Sequence, residues 1–215
     1  MRLMISPHYV AEKLDPPWLY RDLVDVYKDR IQNWLLRPAR KLLEVEHGQI
    51  AAVALATMYV EGFEIYRSGQ DSNKRSKEFF KRGFQRIFYP ESKALFINDA
   101  VADAMYEFLR CGFAHEGTFR NPVFFGTEMD KPMYITWPLK NGNPDPEGQL
   151  ESVLVNPRRY VAGIEGHFEN YIRELRESTK SELAINFRTA VEMKWDLKKP
   201  PRAMAGFGTE TRDGA

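Results

Sequence analysis

Cysteine is almost missing from this chain: one residue, Cys111, in 215. That excludes an intramolecular disulfide and fits a reducing compartment. Net charge is almost missing too. The formal value is +1, so no overall field draws the chain onto nucleic acid or an anionic membrane, and such binding needs a local basic patch. Long apolar runs are absent as well. The longest uncharged one, Gln49 to Val60, falls far short of the roughly 20 residues that span a bilayer. The opening "MRLMISPHYV" places proline and histidine where a secretory signal carries its apolar segment. We therefore expect a soluble, cytoplasmic protein with no membrane association.

Histidine is scarce, with four copies. His8, His47 and His167 show no ligand spacing with one another or with acids, so no metal site is expected. Phosphate-binding glycine loops are also lacking. "GFGTE" at Gly206 precedes no helical pattern, and no cofactor is expected.

What is present reads as mainly helical. Hydrophobic residues make up 43% and charged residues 28%, ordinary for a globular domain. Trp18, Leu23, Tyr27, Ile31 and Trp34 predict a first helix that Pro38 kinks or ends. Apolar residues cover almost every face of the stretch from Gln49 to Tyr66, which predicts a central buried helix. Phe80, Phe84, Ile87 and Phe88 form one stripe on a helix that Pro90 ends. Ile97, Val101, Ala104 and Phe108 share a face of the next helix, with Asn98 or Asp99 as its cap. "PVFFGTE" and "PMYITWP" read as two short strands around a turn at Met129-Asp130-Lys131, "NGNPDPEG" as an irregular loop and "ESVLV" as a third strand. Helix returns from about Pro157, carrying Tyr160, Ile164, Phe168, Tyr171, Ile172 and Leu175, and again from Ser181 to Trp195. The expectation is one helical domain over 1–197 with a small β-hairpin or short-strand insertion at 122–155, then a disordered tail at 198–215.

Chemistry concentrates at the end of the fourth of these helices. "RCGFAHEG" puts Arg110 and His115 on either side of four residues. Arg2 with His8 and Arg40 with His47 give similar spacings. Arg110–His115 stands out because it follows a well-defined amphipathic helix. In that context the motif resembles the R-x4-6-H signature of the HEPN superfamily, over roughly Gln49 to Gly117. The resemblance implies a helical bundle, a homodimer, and metal-independent cleavage of RNA in a bacterial defence or toxin–antitoxin setting. It also implies an antitoxin or regulator as protein partner.

The chemistry asks for these residue types. Attack by an RNA 2′-hydroxyl needs a proton carrier near neutral pH, which imidazole supplies. A permanently charged guanidinium can clamp the charge that builds on phosphate oxygens. By the resemblance His115 is the general acid or base and Arg110 the clamp. Positions five apart diverge by roughly 140° on a straight helix, so convergence needs a distortion at Gly112 or a second copy of the motif. Cys111 stands where the family often has a polar residue and reads as a small packing group.

Two further readings stay open. Arg110 and His115 could simply meet the free carbonyls at a helix C-terminus that Gly117 stops. The chain could also be a non-catalytic interaction module that keeps the fold. Lys74, Arg75, Lys77, Lys81, Arg82 and Arg86 are the candidate RNA-binding residues, or else a solvated face. A second cluster, Lys194, Lys198, Lys199 and Arg202, reads as solubilising.

Overall fold

The spacings above become helix over most of the chain. The computed structural model describes residues 4–14, 17–89, 95–177 and 179–195. The tail expected at 198–215, and with it Lys198, Lys199 and Arg202, lies outside the described residues, as do Arg2 and Pro90.

Strands β1 (Met4–Ser6) and β2 (Tyr9–Val10) pair antiparallel ahead of a short 3-10 turn. This hairpin is tied to the first helix through the buried Asp29. Its carboxylate accepts from the His8 backbone N–H at 2.9 Å and from Asn33 Nδ2 at 2.6 Å, with the His8 ring nitrogen Nδ1 also at 2.6 Å. Burial alone would raise the Asp29 pKa, but the hydrogen bonds around it, His8's among them, prevail and hold it at about 2.

Pro38 does not end the first helix. α1 (Tyr20–Arg30) passes through a π-helical turn, Ile31–Leu36, into α2 (Arg37–Leu42). Pro38 sits at the start of α2, where the widened turn has already interrupted the regular bonding, so its missing N–H costs little.

α3 (Gln49–Ser68) packs against α2, α4 (Ser76–Ile87), α7 (Pro157–Glu177) and α8 (Glu182–Trp195). It is central, yet not buried on every side. Ala51 and Met58 are exposed, and Ala54, Leu55, Glu61 and Gly62 are partly so. α4 lies so close to α3 that a Cβ on Gly83 would stand 2.2 Å from the Val60 carbonyl oxygen. The aromatic heart joins α1, α3, α7 and α8. Tyr27 lies 4.5 Å from Tyr66 and 5.3 Å from Phe187, ring centre to ring centre, and Phe63 lies 5.0 Å from Tyr171.

α5 (Leu95–Ala104) is helical from Leu95, so Asn98 and Asp99 lie inside it and neither caps it. Asp99 instead accepts from Lys81 and Gln85 on α4. A π-helical segment, Met105–Cys111, continues α5 into the short α6 (Gly112–Glu116).

The insertion differs in its pairing. β3 (Val123–Phe125) and β4 (Met133–Thr136) are not partners of each other. Both flank β7 (Ser152–Val155), β3 in parallel and β4 antiparallel. Val123, Val153 and Val155 are fully buried, which explains why β7 takes the centre. The stretch read as an irregular loop holds a true hairpin, β5 (Leu139–Lys140) with β6 (Asn143–Pro144), around Asn141-Gly142 in left-handed backbone. Asn156 then starts α7. Its Oδ1 accepts from Arg159 N–H at 3.2 Å, while its Nδ2 donates to the Thr127 and Met129 carbonyls at 3.2 and 2.7 Å.

Candidate functional site

Arg110 and His115 stand where the α5 helix changes character. The π-helical segment ends at Cys111, and such wide turns re-aim the side chains that follow. At Gly112 the returning chain passes so close that a Cβ would lie 2.5 Å from the Thr118 carbonyl oxygen. Gly117, at φ 71, makes the turn that brings the chain back. The return is fixed by Arg120 N–H donating to the Phe108 carbonyl at 3.0 Å. Glycines in this motif therefore serve a tight reversal.

Arg110 reaches across to α3. Its Nη2 donates to Glu61 Oε2 at 3.1 Å, and the same oxygen accepts from Ser76 Oγ at 2.7 Å. The guanidinium carbon lies 5.5 Å from the Tyr106 ring centre. Arg110 keeps 31% of its side chain exposed while Glu61 keeps 16%, so the cation is held yet reachable. His115 is exposed, as are Glu116 and Arg120, which pair with each other. No hydrogen bond to His115 occurs among the described residues. Cys111 is partly buried.

Glu61 is the residue that sequence reading missed. It lies 49 positions before Arg110, and only helix packing brings them together. The exposed α3 face beside it carries Ala51, Met58 and Gly62. Met58 is 64% exposed, and a Cβ on Gly62 would meet nothing within 4 Å. These positions recur at helical spacing and share one face.

The basic set on and before α4 meets acids from three helices. Lys77 contacts Glu107 at 2.7 Å and Asp103 at 3.1 Å, and Lys81 contacts Asp99 at 2.9 Å and Asp103 at 3.0 Å. Arg82 and Arg86 share the buried Glu64 at 3.2 and 3.0 Å. Arg75 forms a two-pronged pair with Glu78 at 2.9 Å. The Lys77 ammonium titrates above its ordinary range, chiefly through its hydrogen bond to Glu107. Lys74, at φ 60, is exposed and makes no ion pair among the described residues. Lys194, from the second basic cluster, pairs with Asp71 at 2.6 Å.

Among the described residues no group of three or more His, Cys, Asp or Glu could hold a metal ion, and no helix is long and apolar enough to cross a membrane. Compared with protein families, with curated proteins and with solved structures, the chain finds no match.

Proposed function

We propose that this protein binds RNA and cleaves it without a metal, using Arg110 and His115 at a seam between two copies of the chain. The observation that supports this best is the Arg110 guanidinium. One nitrogen is fixed by Glu61, and the remaining N–H groups are left for a phosphate. In the reaction, His115 takes the proton from a 2′-hydroxyl or returns one to the 5′-oxygen leaving group, and Arg110 stabilises the charge on the phosphorus-bound oxygens. The 2′-oxygen bonds to phosphorus as the 5′-oxygen bond breaks, leaving a cyclic phosphate, so no outside oxidant or metal is needed.

A second copy enters because positions five apart diverge by roughly 140° on a straight helix. The exposed α3 face of Ala51, Met58 and Gly62 borders Glu61 and suits a two-fold contact, since small residues allow close approach. RNA contact falls first to Lys74. Arg75, Lys77, Lys81, Arg82 and Arg86 must exchange a carboxylate for a phosphate, so binding depends on salt less steeply than six free cations would require.

The test incubates RNA with purified protein and a chelator, beside Arg110→Ala and His115→Ala. Cleavage that vanishes in both variants supports the reading, and equal cleavage in all three rejects it. A second reading is a non-catalytic helical interaction module, cytoplasmic and bound to an antitoxin-like or regulatory protein. The neutralised α4 cations favour it, and RNA neither bound nor cleaved by a stable dimer would favour it further.

A further inference from the structure

A separate polar cavity of about 390 Å³ opens between α3, α4 and α7. Arg67, Arg86, His167, Asn170, Tyr171 and Glu174 line it, and neither Arg110 nor His115 is among them. Donors on Arg67, Arg86, His167 and Asn170 face it beside the Glu174 carboxylate. Arg86 spends its Nε on Glu64 at 3.0 Å, and its terminal nitrogens make no hydrogen bond among the described residues. Arg67 has only a loose ion contact with Glu174 at 3.6 Å, beyond hydrogen-bond reach. Asn170 has its oxygen occupied by Arg173 Nη2 at 2.8 Å, which leaves its amide N–H groups. Tyr171 is 2% exposed, and its hydroxyl has no partner among the described residues.

His167 completes the set. Its Nδ1 lies 3.1 Å from the hydroxyl of Tyr59, itself 1% exposed. Burial keeps that hydroxyl a phenol, with a pKa well above the usual range. With the phenol donating to Nδ1, the imidazole proton sits on Nε2, on the side away from Tyr59. Burial, reinforced by Arg67 and Arg86, lowers the His167 pKa to about 4, so the ring is a neutral donor at pH 7. Two guanidinium groups, of Arg67 and Arg86, line the cavity beside one carboxylate, Glu174, while Glu64 braces Arg86 from behind at 3.0 Å. A cavity lined by two guanidinium groups to one carboxylate, with unspent donors on Arg67, Arg86 and Asn170, suits an acceptor-rich anion.

We propose that this cavity binds a phosphate-class oxyanion, free or carried on a nucleotide, held by Arg67, Arg86 and the His167 imidazole. The site stands independently of the Arg110–His115 reading. A bound dianion accepts from the two guanidinium groups and from Nε2–H. It also reverses the local field, so His167 becomes easier to protonate when the site is filled.

Inorganic phosphate, a nucleoside monophosphate and a short RNA are titrated separately into the full chain, with acetate as a carboxylate control. Calorimetry reads affinity. The His167 imidazole resonance, identified by its loss in His167→Gln, reads occupancy. Phosphate should shift that resonance saturably and raise its titration midpoint. Arg67→Gln should weaken binding at least about tenfold, and Arg67→Lys should restore part of it. Tighter binding of the monophosphate supports a nucleotide ligand, and response to RNA alone supports a backbone phosphate. No saturable shift with any of the three, an equal response to acetate, or unchanged affinity in a folded Arg67→Gln overturns the proposal.

Discussion

A carboxylate that accepts from two helices at once fixes a cation better than one contact would. Glu61 Oε2 holds Ser76 Oγ and Arg110 Nη2 together, so α3, α4 and the π-helical segment all converge on the candidate phosphate clamp. Glu61→Gln keeps a partner for Ser76 but loses the charge that orients Arg110. On the proposed reaction, RNA cleavage should fall by roughly tenfold or more while the melting temperature shifts only a few degrees. Single-turnover cleavage beside thermal melts would check this, and cleavage at the wild-type rate would remove Glu61 from any positioning role. His167 carries a prediction of a different kind. It is ordinarily half protonated at pH 6.5, but only at about 4 in the fold. Between these values the unfolded chain binds the extra proton, so stability is full above pH 6.5 and declines as pH falls toward 4. The gap sets an upper bound of about 3 kcal/mol on that loss. Denaturant titrations across that range should show it in the wild type, and His167→Gln should flatten the profile. Asp29 acts lower, its contribution being lost only as pH falls from 3.8 toward about 2. The two windows barely overlap and can be told apart.

The contact of α3 with α4 depends on a missing side chain. A Cβ at Gly83 would press to 2.2 Å from the Val60 carbonyl oxygen, a backbone atom that cannot turn aside. Gly166, on α7, has nothing within 4 Å of the same position. Gly83→Ala should therefore cost about 1–3 kcal/mol by forcing the helices apart, whereas Gly166→Ala should gain up to about 1 kcal/mol from helix propensity. Chemical denaturation of the two variants, with opposite signs expected, decides it. The same scale shows what was legible in the sequence. Helices whose apolar residues fall on one stripe, as Phe80 and Phe84 do, could be read directly, since the stripe is a local pattern. Pro38 marked an irregularity, but that the helix continues through a π-helical turn was not legible, since such a turn has no local signature. The pairing of β3 and β4 with β7, not with each other, is a non-local choice made by burial of three valines. Asn141-Gly142 was a local hairpin signal, and its meaning was obscured by the prolines around it. At the site, the sequence offered Arg110 and His115 but not Glu61, because a partner 49 residues away follows from packing alone. It offered six cations as well, and Glu78 pairs with Arg75 locally on α4, but the acids that meet Lys77, Lys81 and Arg86 belong to α3 and the α5 helix and surface only once those helices meet.

At the scale of the whole molecule, the proposed chemistry depends on how many chains build one site. One chain presents Arg110 anchored toward α3 and His115 exposed on the following turn, and a straight helix would splay them apart. If two chains meet across the α3 face, each cleft draws on both motifs, and the inactive variants can complement each other. A dimer of Arg110→Ala with His115→Ala would then hold one intact guanidinium and one intact imidazole. Mixing the two variants under conditions that exchange subunits should restore a substantial part of the wild-type cleavage, although each alone is inactive. Met58, 64% exposed and central on the α3 face, provides the control. Met58→Glu places two like charges at the two-fold contact and uncovers no core, so the monomer should stay folded while the dimer weakens. Light scattering should report half the wild-type mass at low micromolar concentration, and complementation should vanish with it. A dimer that survives Met58→Glu would place the seam on another face. Mixed variants that remain inactive, in a preparation where exchange is shown, would mean that each chain carries its own complete site or none.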